Sequence, residues 1–85
     1  MSLPDKRGRI DHRAPRLLWQ QVCDDLRADM DAGVLAPDAR LPAEPDLAEQ
    51  YGVSRDTIRR AIQELVGEDR LVVLHGRGTF VTPRE

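Results

Sequence analysis

The run 41–60, LPAEPDLAEQYGVSRDTIRR, constrains the fold more than any other part of this 85-residue sequence. Leu47, Ala48 and Tyr51 fall at i, i+1 and i+4, which sets them along one side of a short helix. Gly52 follows, where a helix commonly closes on a left-handed residue that glycine adopts without steric cost. Val53 is then expected to turn inward, and Ser54 to cap the next helix by accepting a backbone hydrogen bond. Ile58, Ala61, Ile62 and Leu65 fall at i, i+3, i+4 and i+7, so this second helix has one buried side. Its other side carries Asp56, Arg59, Arg60 and Gln63, with Arg55 at the N-terminal edge.

Two short helices joined by a tight turn, the second showing arginines outward, have the layout of a helix-turn-helix with its recognition helix. The flanking sequence supplies the rest of a small fold. Leu18, Val22, Leu26 and Met30 step by four, and Trp19 and Cys23 widen the stripe they define. Asp24, Asp25, Asp29 and Asp31 are expected on the wet face of that first helix, with Pro15 as an early helical residue and Gly33 at its end. Ala39 to Leu41 is read as a very short strand, and Pro42 and Pro45 suit the opening turn of the second helix. Leu71 to Leu74 and Thr79 to Thr82 are β-prone runs separated by His75, Gly76, Arg77 and Gly78, a glycine-containing loop of the kind that closes a hairpin. The expected fold is mainly α with a small β element: a winged helix-turn-helix, a three-helix core plus a two-stranded β-hairpin wing. Residues 1–14 are expected to be a flexible basic tail, residues 15–82 the folded domain, and residues 83–85 a tail or the start of a linker.

Composition narrows the function classes. A single cysteine, Cys23, excludes an intrachain disulfide and fits a reducing, cytoplasmic setting. Cys23 lies at i+4 from Trp19 within an apolar stripe, which reads as packing rather than chemistry. His12, His75 and Cys23 lack a metal-binding spacing, so no metal and no cofactor is expected. No apolar run approaches the roughly 20 residues needed to span a bilayer. No paired acids, nucleophile with base, or phosphate loop points to an enzyme. The net charge of −2 looks unsuited to a nucleic-acid partner until it is divided along the chain. Residues 1–16 hold five basic and two acidic groups, residues 17–50 two basic and eight acidic, and residues 51–85 six basic and five acidic. That asymmetry suits a domain whose acidic back faces away from phosphate, and equally an ordinary solvated surface. Twelve of the thirteen basic residues are arginine, Lys6 being the exception.

In order and at these spacings, the pieces resemble the N-terminal DNA-binding domain of the GntR family of bacterial transcription regulators. They are the first helix ending in Gly33; Leu41, Pro42, Ala43 and Glu44; Leu47 and Ala48; Gly52, Val53, Ser54 and Arg55; Thr57, Ile58 and Arg59; Ala61 and Leu65; and the closing Gly76, Arg77, Gly78, Thr79, Phe80 and Val81. The resemblance implies a recognition helix in the major groove and a wing on the adjacent minor groove or backbone. By position it makes Arg55 and Arg59 base- or phosphate-contacting residues, Ser54 and Thr57 phosphate-contacting hydroxyls, and His75, Gly76, Arg77 and Gly78 the wing. Arg60 and Gln63 lie further round the exposed side. Asp56 is open to two roles, accepting from a cytosine amino group or orienting Arg59 or Arg60 along the helix. The sequence departs from the family pattern at Pro45, where a DNA-contacting arginine is common, and at Asp38 and Asp69, where glycine is usual.

The function so implied is sequence-specific binding of double-stranded DNA by a transcription regulator, with repression the expected sense. The partner is expected to be a palindromic operator, met by a weak homodimer or by monomers that pair on DNA, and no effector-binding or dimerising domain is expected within these residues. Whether it is a stand-alone protein or part of a longer regulator is open. The alternative from another class is a winged-helix protein-interaction module, which would expose apolar anchors rather than arginines along 55–63.

Overall fold

The computed structural model describes residues 5–83. Three helices, α1 (Leu18–Asp31), α2 (Glu44–Tyr51) and α3 (Arg55–Gly67), precede two antiparallel strands, β1 (Leu71–Leu74) and β2 (Gly78–Val81). The helix ends follow from local chemistry. Gly52 closes α2 at φ 67°, and the Val53 amide donates back to the Ala48 carbonyl at 3.1 Å, so the chain reverses within two residues. Ser54 then caps α3, its Oγ accepting from the Thr57 amide at 3.1 Å. Asp38 and Asp69 stand at φ 69° and 59°, left-handed positions that an aspartate tolerates better than most residues.

The core forms where the three apolar stripes meet. Val22, Cys23 and Leu26 of α1, Leu47 and Tyr51 of α2, and Ile58, Ala61 and Leu65 of α3 are buried together with Leu71 and Val81 from the strands. The Cys23 thiol packs against the Ala61 carbonyl at 3.4 Å, and burial pushes its pKa up to about 11, as suits a packing residue. The strands pair in register from Leu71↔Val81 to Leu74↔Gly78. The expected short strand at 39–41 reduces to one bridge, Arg40↔Phe80, held by the Leu41 amide on the Thr79 carbonyl and the Val81 amide on the Ala39 carbonyl, each at 2.8 Å. That bridge ties the loop before α2 to the wing.

Three expectations need correction, all near the N-terminus. Pro15 lies outside α1, which starts at Leu18. Gln21 explains the delay: its side chain accepts from the Asp11 amide at 2.8 Å and donates to the Asp11 and Arg16 carbonyls at 2.9 Å, fixing the preceding loop across the helix start. The flexible tail expected over residues 1–14 is, in its described part, folded onto the domain; residues 1–4 lie outside the described residues, as do 84 and 85. Ile10 is buried in the core, and the Lys6 amide donates to the Gln50 carbonyl at 2.9 Å.

The third correction concerns the acids of α1. Asp24 and Asp31 face water, but Asp25 and Asp29 are largely buried beneath this strap. The Lys6 ammonium sits 2.8 Å from Asp29, 3.4 Å from Asp25 and 3.1 Å from the Tyr51 hydroxyl, and 5.0 Å from the centre of the Tyr51 ring. Arg9 adds contacts of 3.0 Å to Asp25 and 3.4 Å to Asp29. Tyr51 donates to Asp25 at 2.6 Å. Burial alone would raise the Asp25 pKa, but the Tyr51 hydroxyl and Arg9, with Lys6 nearby, hold it below the ordinary carboxylate value. Burial and the Asp25 carboxylate together push the Tyr51 hydroxyl far upward, so it stays a proton donor.

Candidate nucleic-acid interface

Burial of Ile58, Ala61, Ile62 and Leu65 fixes which way α3 faces. The remaining side of the helix is solvent-exposed and carries Arg55, Asp56, Arg59, Arg60 and Gln63, with Ser54 exposed at the cap and Thr57 half-buried beside it. The two hydroxyls form one unit, Ser54 donating to Thr57 Oγ1 at 2.9 Å while its own oxygen caps the helix. They border the free amides of the first turn, a position that favours an anion.

The arginines of this face are held differently. Arg59 bridges two elements, reaching Asp56 on its own helix and Glu44 at the start of α2, both at 3.3 Å. Of the two roles open for Asp56, the geometry contains the orienting one. Arg60 is turned sideways onto α1: its guanidinium lies 4.6 Å from the Trp19 ring centre and 3.1 Å from Glu64. Arg55 makes no ion pair among the described residues and stands free at the start of the helix.

The wing lies beside this helix. His75, Gly76 and Arg77 form an exposed tip closed by the Arg77 amide on the Leu74 carbonyl at 2.9 Å, with Gly76 at φ 75°. Gly78 begins β2 at φ 122°, a conformation that side chains rarely adopt. A Cβ at Gly78 would fall 2.9 Å from Arg40 Nε, so the guanidinium of Arg40 rests directly on the wing's base. Between the wing and the start of α2 runs an open groove of about 420 Å³, bordered by Arg40, Glu44, His75, Gly76 and Arg77. Glu44 on the border of that groove is the residue that Arg59 of α3 reaches at 3.3 Å, which connects the helix face to the wing side.

Sequence reasoning places the α3 and wing residues on this surface but assigns no role to Glu44 or Arg40. A signal for Arg40 exists. In a strand over 39–41, Ala39 and Leu41 share the inward face, so Arg40 projects the other way. Glu44 carries no such signal, because its contact with Arg59 depends on how α2 docks against α3. Among the described residues, no group of three or more His, Cys, Asp or Glu side chains is placed to hold a metal ion. No described helix is long and apolar enough to cross a membrane.

Three helices, a sharp turn before an outward-facing third helix, and a hairpin beside it define a winged helix-turn-helix domain. The profile described as "Bacterial regulatory proteins, gntR family" matches residues 18–81, and the chain belongs to that family. It is 42% identical over 73 residues to the HTH-type transcriptional repressor NagR of Bacillus subtilis, an alignment covering 86% of this chain and 30% of that protein. The chain thus spans under a third of the length of this curated relative. Among solved structures, YtrA from Sulfolobus acidocaldarius, a GntR-family transcription factor, superposes with a TM-score of 0.82 at 28% identity, covering 89% of this chain and 80% of that one. AraR(DBD) in complex with operator ORX1 superposes with a TM-score of 0.76 at 35% identity, covering 86% of this chain and 94% of that one.

Proposed function

We propose that this domain reads a specific sequence of double-stranded DNA and thereby regulates transcription, as a cytoplasmic repressor acting on a palindromic operator. The observation that carries the reading is the outer side of α3, where Arg55 stands free and Arg59 is half-exposed beside an exposed wing tip. A guanidinium fork can bind guanine O6 and N7 together, each good pair giving roughly 1–3 kcal/mol of discrimination. In this reading Arg55 and Arg59 enter the major groove, with Asp56 and Glu44 holding Arg59 in an extended pose. Ser54 and Thr57 take a phosphate at the helix start, and Gln63 extends the reading surface along α3. Arg60, stacked on Trp19, lies at its edge and fixes the helix to α1. His75, Gly76 and Arg77 approach the neighbouring minor groove, with Gly78 letting the wing base sit close. The complex of the similarly folded AraR(DBD) with operator ORX1 supports DNA as the partner.

A single module of this size buries on the order of 600–1,000 Å² on DNA, so high specificity needs two copies on paired half-sites. Two copies that associate weakly, or only on DNA, satisfy this. Selection from a random duplex pool, followed by binding of Arg59→Ala, tests the reading. The variant is expected to keep its fold and its weak affinity for unrelated duplex while losing about 2 kcal/mol of preference for the selected one. Recovery of no enriched sequence would instead favour a domain that docks protein.

A further inference from the structure

Resting on that reading, we propose that Arg40 is a phosphate clamp for the DNA strand that separates the two grooves. A duplex read by α3 in its major groove and by the wing in the adjacent minor groove must pass one sugar-phosphate strand between those two elements. An open groove runs between the wing and the start of α2, and Glu44 on its border is bridged to Arg59 of α3. Arg40 lines this groove, and its setting is built rather than incidental.

Four observations fix that setting. The Arg40 backbone bridges Phe80 of β2, so the residue is tied to the wing rather than carried on a free loop. Leu41 beside it is buried, which turns the Arg40 side chain to the opposite, outer face. The guanidinium lies over Gly78, whose lack of a side chain gives it room. Unlike Lys6, Arg9, Arg16, Arg27 and Arg70, Arg40 makes no ion pair or side-chain hydrogen bond among the described residues, although the chain is rich in acids. The one carboxylate bordering the same groove, Glu44, is engaged by Arg59 at 3.3 Å. An exposed guanidinium with no internal partner, lining an open groove, suits forked contact with a phosphodiester. Such a contact sets register and affinity without reading sequence.

Fluorescence anisotropy with a duplex selected from a random pool, and with an unrelated duplex of equal length, tests the assignment across a series of potassium chloride concentrations. Arg40→Gln is expected to weaken both duplexes alike, by about tenfold. It is also expected to make the slope of log affinity against log salt shallower by about 0.9. Arg40→Lys keeps that slope, and both variants melt at the wild-type temperature. An unchanged slope in Arg40→Gln overturns the proposal, as does a weakening confined to the selected duplex. A lowered melting temperature that Arg40→Lys fails to restore overturns it too, by making the residue structural. If the wild-type domain binds neither duplex, it is the DNA-reading function that fails; if the wild type binds and only the Arg40 slope is unmoved, that function stands and the clamp falls.

Discussion

The front and the rear of this domain use basic residues in opposite ways. At the rear, Lys6 and Arg9 of the N-terminal strap are held by Asp25 and Asp29, Arg16 by Asp24, Arg70 by Asp31, and Arg27 by Asp24 and Glu68. At the front, Arg40, Arg55 and Arg77 have no acidic partner among the described residues, and Arg59 is shared between two weakly held acids at 3.3 Å. Asp24, Asp25, Asp29, Asp31 and Glu68 are thus each engaged by cations that belong neither to α3 nor to the wing strands. Net charge therefore says little about what such a domain binds. What matters is which cations are left without an internal partner, and where they point.

The rear contacts are themselves unequal, and mutations can grade them. The largest effect is expected from Lys6→Ala, which leaves the largely buried Asp25 and Asp29 with only the half-exposed Arg9 as a cation. Removing one partner of a largely buried pair costs about 3 kcal/mol, to be measured by urea unfolding. A change below about 1 kcal/mol would mean that the strap is only a surface attachment. Next comes Tyr51→Phe, which removes a buried donor to Asp25 and is expected to cost about 1–2 kcal/mol.

The Tyr51 change also has a pH signature. The folded Asp25 pKa is depressed below the ordinary 3.8, so its stabilisation is complete above that value and disappears as pH falls through the lower, folded value. Wild-type stability is expected to decline below about pH 4, and Tyr51→Phe to flatten that decline. A decline equally steep in the variant would remove Tyr51 from the cause. The smallest effect is expected from Arg16→Ala, since its pair with Asp24 is half-exposed on both sides and such pairs contribute under about 1 kcal/mol.

The same contrast explains what could be read from the sequence. The helix-turn-helix was legible because Gly52, Ser54 and the spacing from Ile58 to Leu65 act locally, through a left-handed residue, a cap and a periodic face. The wing was legible because two β-prone runs flank His75, Gly76, Arg77 and Gly78. The strap was not. Lys6 and Arg9 look like solvated tail by composition, and their acidic partners lie more than fifteen residues away on the face of α1 that spacing assigns to water. Only Ile10, an isolated apolar residue in a polar stretch, hinted at anchorage. At the interface, the exposure of Arg55 and Arg59 followed from periodicity, whereas the turning of Arg60 onto Trp19 and of Arg59 toward Glu44 depends on helix packing. Local chemistry is visible in a sequence; the pairing of distant charges is not.

The measurement that tests the central claim most directly compares the salt dependence of duplex binding for two double variants, Arg55→Gln with Arg77→Gln at the front and Arg16→Gln with Arg70→Gln at the rear. The front variant is expected to flatten the slope of log affinity against log salt by about 0.9 for every phosphate it no longer neutralises, while the rear variant keeps the wild-type slope. Equal slopes in the two variants, with both folded, would contradict the division of labour described for these cations.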